Sequence, residues 1–319
     1  METIKKEGLK NTLYRVVKFL VWNLIRFKKE CTYKFYGLFF ESVIREVNGF
    51  RMHLDLKDEG ICKDLFHDGK RELIFTDYLL NSNILKEGDV VLDIGANIGY
   101  CALIESKLVG DQGKVYAVEP ISNNINILKK NISLNNCKNI EIFNLAIGDT
   151  DKKSKIYVSD RCNLCSLGRK PSNIIGERLT DVLTVDTFLK DKDPPNVIRM
   201  DVEGYEYNIV KGMSKILEND VKILMEIHGP FLTKVQLEEM FDKLKRYNFQ
   251  VHCVIIDQKN KQSKVVKSLM DKLKEKSSFG FLDMTMEELL NWLIEERQYP
   301  MHPHAYPHVC LSKKGLEDI

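Results

Sequence analysis

The stretch Val90-Val-Leu-Asp-Ile-Gly-Ala-Asn-Ile-Gly99 decides the fold of this chain of 319 residues. Its first half is a short apolar run rich in β-branched residues, which predicts a buried strand, and a helical pattern begins directly after it. Gly95 and Gly99 allow a sharp turn and the close approach of a ligand, because neither carries a Cβ. A strand, a glycine-bearing turn and a helix in this order are typical of doubly wound α/β sheets, in which ligands bind beyond the carboxyl ends of the strands.

Short apolar strands alternate with helical stretches from Asp89 onward, which indicates βαβ units and a mostly parallel sheet. The predicted strands are Val90–Asp93, Lys114–Glu119, Ile140–Phe143, Asn196–Asp201 and Lys222–Ile227, followed by a closing pair at Phe249–Ile256 and His308–Leu311. The predicted helices are Tyr100–Val109, Ser122–Asn135, Glu206–Leu217 and Lys234–Tyr247. The segments near 150–195 and 260–305 are too long for simple connections, so we predict insertions there.

The first part of the chain is basic: residues 1–50 hold ten Lys and Arg against five Asp and Glu. We predict a helical, amphipathic extension over 1–47, ahead of one domain over 48–319. The apolar run at 13–27 is interrupted by three basic residues and is shorter than the roughly 20 residues that span a bilayer. Two interpretations stay open: a helix that packs on its own domain or on a second subunit, and a helix that lies in a membrane surface and suits a lipid-linked substrate.

The composition limits the partners and the compartment. With 48 basic and 46 acidic residues the net charge is +2, so no nucleic-acid partner is expected. No small-residue cleavage site of a secretory signal follows the start, and reduced thiols in the cytoplasm are the expectation for a chain of this length. The only close cysteine pair, Cys162-x-x-Cys165, is either a plain loop or a structural or redox pair. A late set resembles zinc ligands but also suits a loop that enters a strand: His302, His304, His308 and Cys310.

A second acidic residue, Glu119, ends the second predicted strand 20 residues after Gly99. A carboxylate at this place accepts hydrogen bonds from both hydroxyls of a ribose, which predicts a cofactor that contains adenosine. The nicotinamide fingerprint is G-x-G-x-x-G, whereas Gly95 and Gly99 here are separated by three residues. Asp93 would repel a pyrophosphate but favours a cationic methionyl amine. The pattern therefore favours S-adenosylmethionine over NAD.

Five motifs of the chain resemble the FkbM family of methyltransferases over roughly residues 75–230. They are Asp93-x-Gly-Ala-Asn-x-Gly99, Glu119-Pro120, Asn144-Leu-Ala-Ile-Gly148, Leu183-Thr-Val-Asp-Thr-Phe188 and Arg199-Met-Asp-Val-Glu-Gly-Tyr-Glu206. The resemblance implies the class I methyltransferase (Rossmann-like) fold, with a seven-stranded sheet whose last strand is antiparallel. It also implies S-adenosyl-L-methionine as the cofactor and methylation of hydroxyl oxygens on sugars, polyketides and related natural products.

The resemblance carries over to individual positions. It implies Asp93, Gly95, Asn97 and Gly99 around the methionine part of the cofactor, Glu119 on the ribose, and Asn144 to Ala146 near the adenine. The family usually has Lys where this chain has Arg199, and an arginine cannot replace a lysine that accepts a proton.

We predict that Asp201, Glu203 and His228 are catalytic, because they follow two neighbouring strands and converge where the methyl group is transferred. A neutral His228 would be a suitable base near pH 7. As an alternative, these side chains together with Glu226 could hold a divalent metal ion, although no metal ligand set is assigned.

The predicted acceptor is a hydroxyl on a small molecule, a glycan or a lipid-linked saccharide. The alternatives are an NAD-dependent oxidoreductase and a non-catalytic interaction protein of the same fold; a homo-oligomer is compatible with either. The expected location is the cytoplasm, peripheral to a membrane if residues 13–27 bind lipid.

Overall fold

A computed structural model of the protein describes residues 2–171, 173–256, 281–282, 284–296 and 306–313. His302 and His304 of the zinc hypothesis lie outside these residues, as does most of the predicted insertion at 260–305. The strands are β1 (Ser42–Val47), β2 (Phe50–Asp55), β3 (Val90–Ile94), β4 (Lys114–Val118), β5 (Ile140–Phe143), β6 (Ala146–Ile147), β7 (Lys152–Ser159), β8 (Ile174–Leu183), β9 (Val197–Met200), β10 (Lys222–Glu226), β11 (Gln250–Ile255), β12 (Phe281–Leu282) and β13 (His308–Ser312). The α-helices are α1 (Glu2–Phe39), α2 (Ile61–Asp68), α3 (Leu73–Asn81), α4 (Tyr100–Val109), α5 (Ser122–Leu134), α6 (Val185–Phe188), α7 (Glu206–Gly212), α8 (Lys215–Glu218), α9 (Lys234–Arg246) and α10 (Met286–Glu296).

The main sheet has the order β12-β11-β13-β10-β9-β3-β4-β5. Strands β5, β4, β3, β9 and β10 pair in parallel, and β13 is antiparallel to both β10 and β11. This confirms the predicted seven-stranded class I sheet with its antiparallel last strand. The two-residue strand β12 extends its edge beyond β11.

The central strand β3 is apolar because both of its faces are covered. Val91 packs into the hydrophobic cluster on one face of the sheet, and its neighbour Leu92 packs into the cluster on the other face. Both side chains are fully buried, as is usual for parallel strands between two layers of helices. The carboxyl end of β3 therefore stands at a fixed place in the molecule, which positions the glycine-bearing turn.

The helical prediction for residues 1–47 is wrong in its last part. Helix α1 ends at Phe39, and β1 pairs with β2 in an antiparallel hairpin, so the expected domain boundary at residue 47 falls inside this hairpin. Its two-residue turn, Asn48-Gly49, has φ values of 49° and 80°. Asn-Gly is the preferred pair for such a turn, so the sequence did contain the signal. No helix of the described part is long and apolar enough to cross a membrane.

The predicted insertion at 150–195 forms a small sheet of its own, in the order β6-β8-β7. Strands β7 and β8 form a long antiparallel pair, and β6 joins β8 in parallel. The segment between β7 and β8 includes a short 3-10 helix at Cys162–Leu164. This segment lies next to the glycine-bearing turn and shapes the site described below.

The single helix predicted over Glu206–Leu217 is divided into α7 and α8. The carboxylate of Asp186 accepts hydrogen bonds from the backbone N–H groups of Ser214, Lys215 and Ile216, at 3.0, 3.0 and 3.1 Å. Free N–H groups at a helix start need such acceptors, so Asp186 fixes a second helix start where the sequence pattern alone suggested continuity.

Candidate functional site

A cavity lies at the carboxyl ends of β3, β4 and β9, with about 620 Å³ of empty space that is partly open to solvent. It is lined by the glycine-bearing turn, the end of β4, strand β6, part of β7, the segment between β7 and β8, and the residues after β9. It brings together six of the predicted site residues, namely Gly95, Asn97, Glu119, Ala146, Asp201 and Glu203. The ligand site predicted at this edge of the sheet therefore exists as a shaped cavity.

The turn after β3 depends on two residues in the left-handed region. Gly95 has a φ of +87°, and a Cβ there would lie 2.1 Å from the carbonyl oxygen of Asp201. Asn97 has a φ of 52°, which asparagine tolerates better than most residues, and its Oδ1 accepts a hydrogen bond from the N–H of Ile98 at 2.8 Å. The two residues bring the backbone of the turn directly against the cavity.

Glu119 is a buried carboxylate at the end of β4, with 4% of its surface exposed. Its Oε2 accepts a hydrogen bond from the N–H of Asn97 at 3.0 Å, and its Oε1 accepts one from the N–H of Ile121 at 2.8 Å. A longer bond of 3.3 Å comes from Nδ2 of Asn124. Burial outweighs these donors and raises the pKa of Glu119 to about 7. The carboxylate thus faces the cavity with acceptor capacity for hydroxyl groups.

Asp93 does not line the cavity, because it is fully buried behind the turn. Its Oδ1 accepts a hydrogen bond from Nη1 of Arg199 at 3.1 Å, and the same nitrogen lies 3.3 Å from the carbonyl oxygen of Gly95. The other nitrogen, Nη2, donates to Oδ2 of Asp201 at 3.1 Å. Arg199 therefore joins β3, the turn and the end of β9, a role that explains a buried arginine with two carboxylate partners.

Gly99 and Asn144 also lie outside the lining of the cavity. Gly99 precedes α4 with a φ of +92°, and a Cβ there would lie 2.5 Å from Cδ1 of Leu128, so the glycine permits the packing of α4 against α5. Asn144 donates from Nδ2 to the carbonyl oxygens of Glu119 and Pro120, at 3.1 and 3.0 Å. It supports the loop that carries Glu119 and faces a neighbouring groove.

His228 lies outside the cavity, buried between two carboxylates. Its Nδ1 is 2.7 Å from Oε1 of Glu206, and its Nε2 is 3.6 Å from Oε2 of Glu203. Burial opposes protonation, but these carboxylates outweigh it and raise the pKa of His228 well above its ordinary value. These contacts favour the protonated imidazole over the expected neutral base, and a catalytic role of His228 stays a prediction.

The two carboxyl groups that follow β9 differ in their ionisation. Burial opposes the charge of Asp201, yet Arg199 and His228 lower its pKa below the ordinary value. For Glu203, burial dominates and raises the pKa to about 7. Glu203 also has a φ of 53°, so its backbone is held in an unusual conformation at the cavity. Glu203 is the carboxyl group suited to exchange a proton near neutral pH.

The segment between β7 and β8 contributes a wall that the sequence analysis did not predict. The carbonyl oxygen of Cys162 accepts hydrogen bonds from Nδ2 of Asn97 at 3.1 Å and from Nδ2 of Asn124 at 3.3 Å. Its N–H donates to Oδ1 of Asp58 at 2.8 Å. All eight cysteines lie in the described part of the chain and are free thiols. Of the two interpretations of Cys162-x-x-Cys165, the structure shows a loop that closes the cavity.

A second cluster of ionisable groups stands beside the first. It consists of Glu72, Glu226 and His308, whose ligand atoms all lie within 4.8 Å of one another. The same spacing holds for Asp201, Glu203 and His228, and for Asp58, Cys62 and Cys162. Glu72 was not foreseen, because it precedes α3 and is remote in sequence from the other two. Within the described residues, these three clusters have the composition and spacing to hold a metal ion.

Comparisons with known proteins agree with this geometry. Residues 93–251 match the family described as the methyltransferase FkbM domain. Among curated relatives, the hexuronic acid methyltransferase AglP of Haloferax volcanii is 26% identical over 185 residues, which cover 50% of this chain and 68% of that enzyme. A protein-L-isoaspartate O-methyltransferase of Methanosarcina mazei is 43% identical over 58 residues, which cover 18% of this chain and 24% of that one.

Two solved structures are among the proteins to which the chain is similar. The methyltransferase FkbM from Methylobacillus flagellatus is 18% identical, with 53% of this chain and 40% of that chain covered and a TM-score of 0.39. The TYW2 protein of M. jannaschii in complex with AdoMet is 11% identical, with 86% and 87% covered and a TM-score of 0.41.

Proposed function

Because the chain belongs to the FkbM methyltransferase family, we propose that it transfers the methyl group of S-adenosyl-L-methionine to a hydroxyl oxygen of a sugar or a related natural product. The observation that carries the proposal is the cavity in which Gly95 and Glu119 stand beside Asp201 and Glu203. The cavity has space for a nucleoside, and its carboxyl groups lie where an acceptor would meet that nucleoside. The alternative of an NAD-dependent oxidoreductase lacks support from the family match.

The residues of the cavity fit this cofactor. Glu119 has two oxygens that suit the hydroxyls of a ribose, and the close backbone at Gly95 leaves room that a side chain would fill. Ile121, Ile147 and Ile156 give part of the wall an apolar surface suited to a flat base. When bound, S-adenosyl-L-methionine supplies a methyl group on a positively charged sulfur, which is open to attack by an oxygen.

The protein's own contribution is to orient the acceptor and to remove its proton. Glu203 is the best proton acceptor, because its pKa of about 7 gives it both forms near neutral pH. His228, held as a cation 3.6 Å from Glu203, positions that carboxylate. Asp201 is fixed by Arg199 and stays ionised, so it is suited to accept a hydrogen bond from the acceptor. Asp93 then supports the site through Arg199 rather than by direct contact.

The acceptor class rests on the relatives and on the N-terminal helix. AglP is named for hexuronic acid, which favours a sugar as the acceptor. The later part of α1 packs on the domain through Tyr33, which is 1% exposed, whereas a group of large apolar residues earlier in α1 is exposed. Exposed apolar side chains on a basic helix suit a membrane surface and an acceptor carried on a lipid. The free cysteines fit a cytoplasmic location.

The test is an assay for S-adenosylhomocysteine with isotope-labelled cofactor and a panel of uronic acids, hexoses and their lipid-linked forms. We expect turnover with at least one sugar and a loss of about 100-fold or more in Glu203→Gln, with unchanged cofactor affinity. Glu141→Gln, on an exposed side chain of β5, is the matched control. Methyl transfer to nitrogen only, or a wild-type rate for Glu203→Gln, would contradict the proposal.

A further inference from the structure

The cluster of Glu72, Glu226 and His308 lies at the same edge of the main sheet as Asp201. Glu226 ends β10 and is paired in register with His308, the first residue of the antiparallel strand β13. β10 also pairs with β9, where Met225 stands opposite Met200, so Glu226 follows beside Asp201. Burial and the charge of Asp201 both raise the pKa of Glu226, which shows how near the two carboxyl groups are.

The oxygens of Glu72 have different surroundings. Oε1 accepts a hydrogen bond from Nε of Arg71 at 2.5 Å, whereas Oε2 lies 3.7 Å from Nε2 of His308. Although burial opposes the charge, Arg71 lowers the pKa of Glu72 below its ordinary value, so this carboxylate is ionised. One oxygen is thus occupied by arginine, and the other is directed at the cluster.

His308 is only 4% exposed, and its Nε2 lies 3.7 Å from Oε2 of Glu72. Its ring is stacked on Phe75 at 3.9 Å between centroids, which fixes the plane of the imidazole. A ring nitrogen of His308 lies within 4.8 Å of carboxyl oxygens of both Glu72 and Glu226. A neutral imidazole of fixed orientation is the form that binds metal ions.

We propose that Glu72, Glu226 and His308 bind a divalent cation such as Mn²⁺, next to the place where the methyl acceptor meets the cofactor. Carboxylate oxygens with one imidazole nitrogen suit Mn²⁺, and ligands at about 2.0–2.2 Å from an ion lie roughly 3–4 Å apart, close to the spacing of this cluster. Three protein ligands leave coordination positions open for oxygens of the acceptor.

This inference rests on the proposed function and specifies its acceptor. A sugar with two neighbouring oxygens, such as a hydroxyl beside a carboxylate, could chelate the ion and so be held with the hydroxyl near Glu203. The cation would also compensate the carboxylates that otherwise crowd this side of the site, and it would lower the pKa of the bound hydroxyl. Arg71 also interacts with Asp201 and Glu226, so an anionic sugar would meet a fixed arginine here as well as the ion.

The test is Mn²⁺ binding to the full chain after removal of metals with a chelator, followed by electron paramagnetic resonance. We expect one ion per chain at saturation and nitrogen modulation from one imidazole. Glu226→Gln should weaken binding by about tenfold or more, and His308→Asn should also abolish the nitrogen modulation. Glu141→Gln is the matched control, and the melting temperature of each variant reports its folding.

Two outcomes would overturn the inference. One is the absence of stoichiometric Mn²⁺ binding, which would mean that a proton alone neutralises the charge of the Glu226 carboxyl group. The other is loss of the ion in Glu203→Gln with full binding in Glu226→Gln, which would place it in the neighbouring cluster. Binding of S-adenosylmethionine to the same preparation is measured separately by calorimetry. If it is intact while Mn²⁺ does not bind, only this inference fails; if it is absent, the proposed function fails.

Discussion

Replacement of Glu119 by glutamine tests the cofactor site most directly. The change keeps the size of the side chain but removes its charge and turns one acceptor oxygen into a donor, although the N–H groups of both Asn97 and Ile121 require acceptors. A hydrogen bond to a charged group contributes about 1.5–3 kcal/mol. The loss of one such bond to a ribose hydroxyl predicts roughly 10- to 150-fold weaker binding of S-adenosylmethionine.

The pKa of Glu119 adds a second expectation. Because the pKa of Glu119 is about 7 in the free protein, its charged form is the minority at pH 6 and the majority at pH 8. The charged form is the one that accepts hydrogen bonds from both ribose hydroxyls. Cofactor affinity should therefore rise about tenfold from pH 6 to pH 8 in the wild type. The glutamine variant, which has no such group, should lack this rise.

Isothermal titration calorimetry with S-adenosylmethionine and S-adenosylhomocysteine measures both effects, with thermal unfolding as the check that the variant is folded. An affinity within twofold of the wild type, together with an unchanged pH profile, would remove Glu119 from the cofactor site. Weaker binding with the pH profile intact would mean that another group causes the titration.

Three further predictions concern the surroundings of the site. Gly95→Ala should lower the free energy of unfolding in urea by more than about 2 kcal/mol. Gly88 has the same φ of +87° but nothing within 4 Å of an added Cβ, so Gly88→Ala should lose only the backbone strain of about 1–2 kcal/mol. Equal losses in the two variants would refute the steric argument. Arg199→Met leaves the buried carboxylate of Asp93 and that of Asp201 without their partner and should lower the free energy of unfolding by about 3–5 kcal/mol, whereas Arg199→Lys should lower it less. Wild-type stability in both variants would contradict this role of Arg199. Leu24 and Phe27 are 69% and 68% exposed, so the wild type should sediment with anionic vesicles. The double variant Leu24→Glu/Phe27→Glu should not sediment with them. Equal sedimentation of the two proteins would exclude α1 as the membrane contact.

The part of the fold that depends on local pattern was predictable. The strand β3, the turn and the start of α4 follow one another in eleven residues, and their apolar run and glycines identify them without knowledge of the rest of the chain. Glu119 was found for the same reason, since its position at the end of the next strand fixes its distance from the turn. The antiparallel last strand came from the family resemblance rather than from pattern.

The parts that depend on contacts between remote residues were not predictable. Glu72 meets His308 across 236 positions of sequence, and only the folded sheet brings them together. The protonation of His228 likewise depends on Glu203 and Glu206, whose carboxyl groups flank it in space. Asp93 is a different case: its type and spacing fit a ligand contact, whereas the structure buries it behind the turn with Oδ1 on Arg199.

The hydrogen bonds of Cys162 have a consequence for the catalytic cycle. Its carbonyl oxygen holds Asn97 of the turn, and its N–H holds Asp58, which also accepts the N–H of Cys62 at the start of α2. These bonds hold one wall of the cavity against the turn, so we expect the rate of cofactor exchange to depend on Asp58, although Asp58 does not line the cavity. Because Tyr33 of α1 donates to the carbonyl oxygen of the same Asp58, the N-terminal helix is connected through Asp58 to the wall of the cofactor cavity.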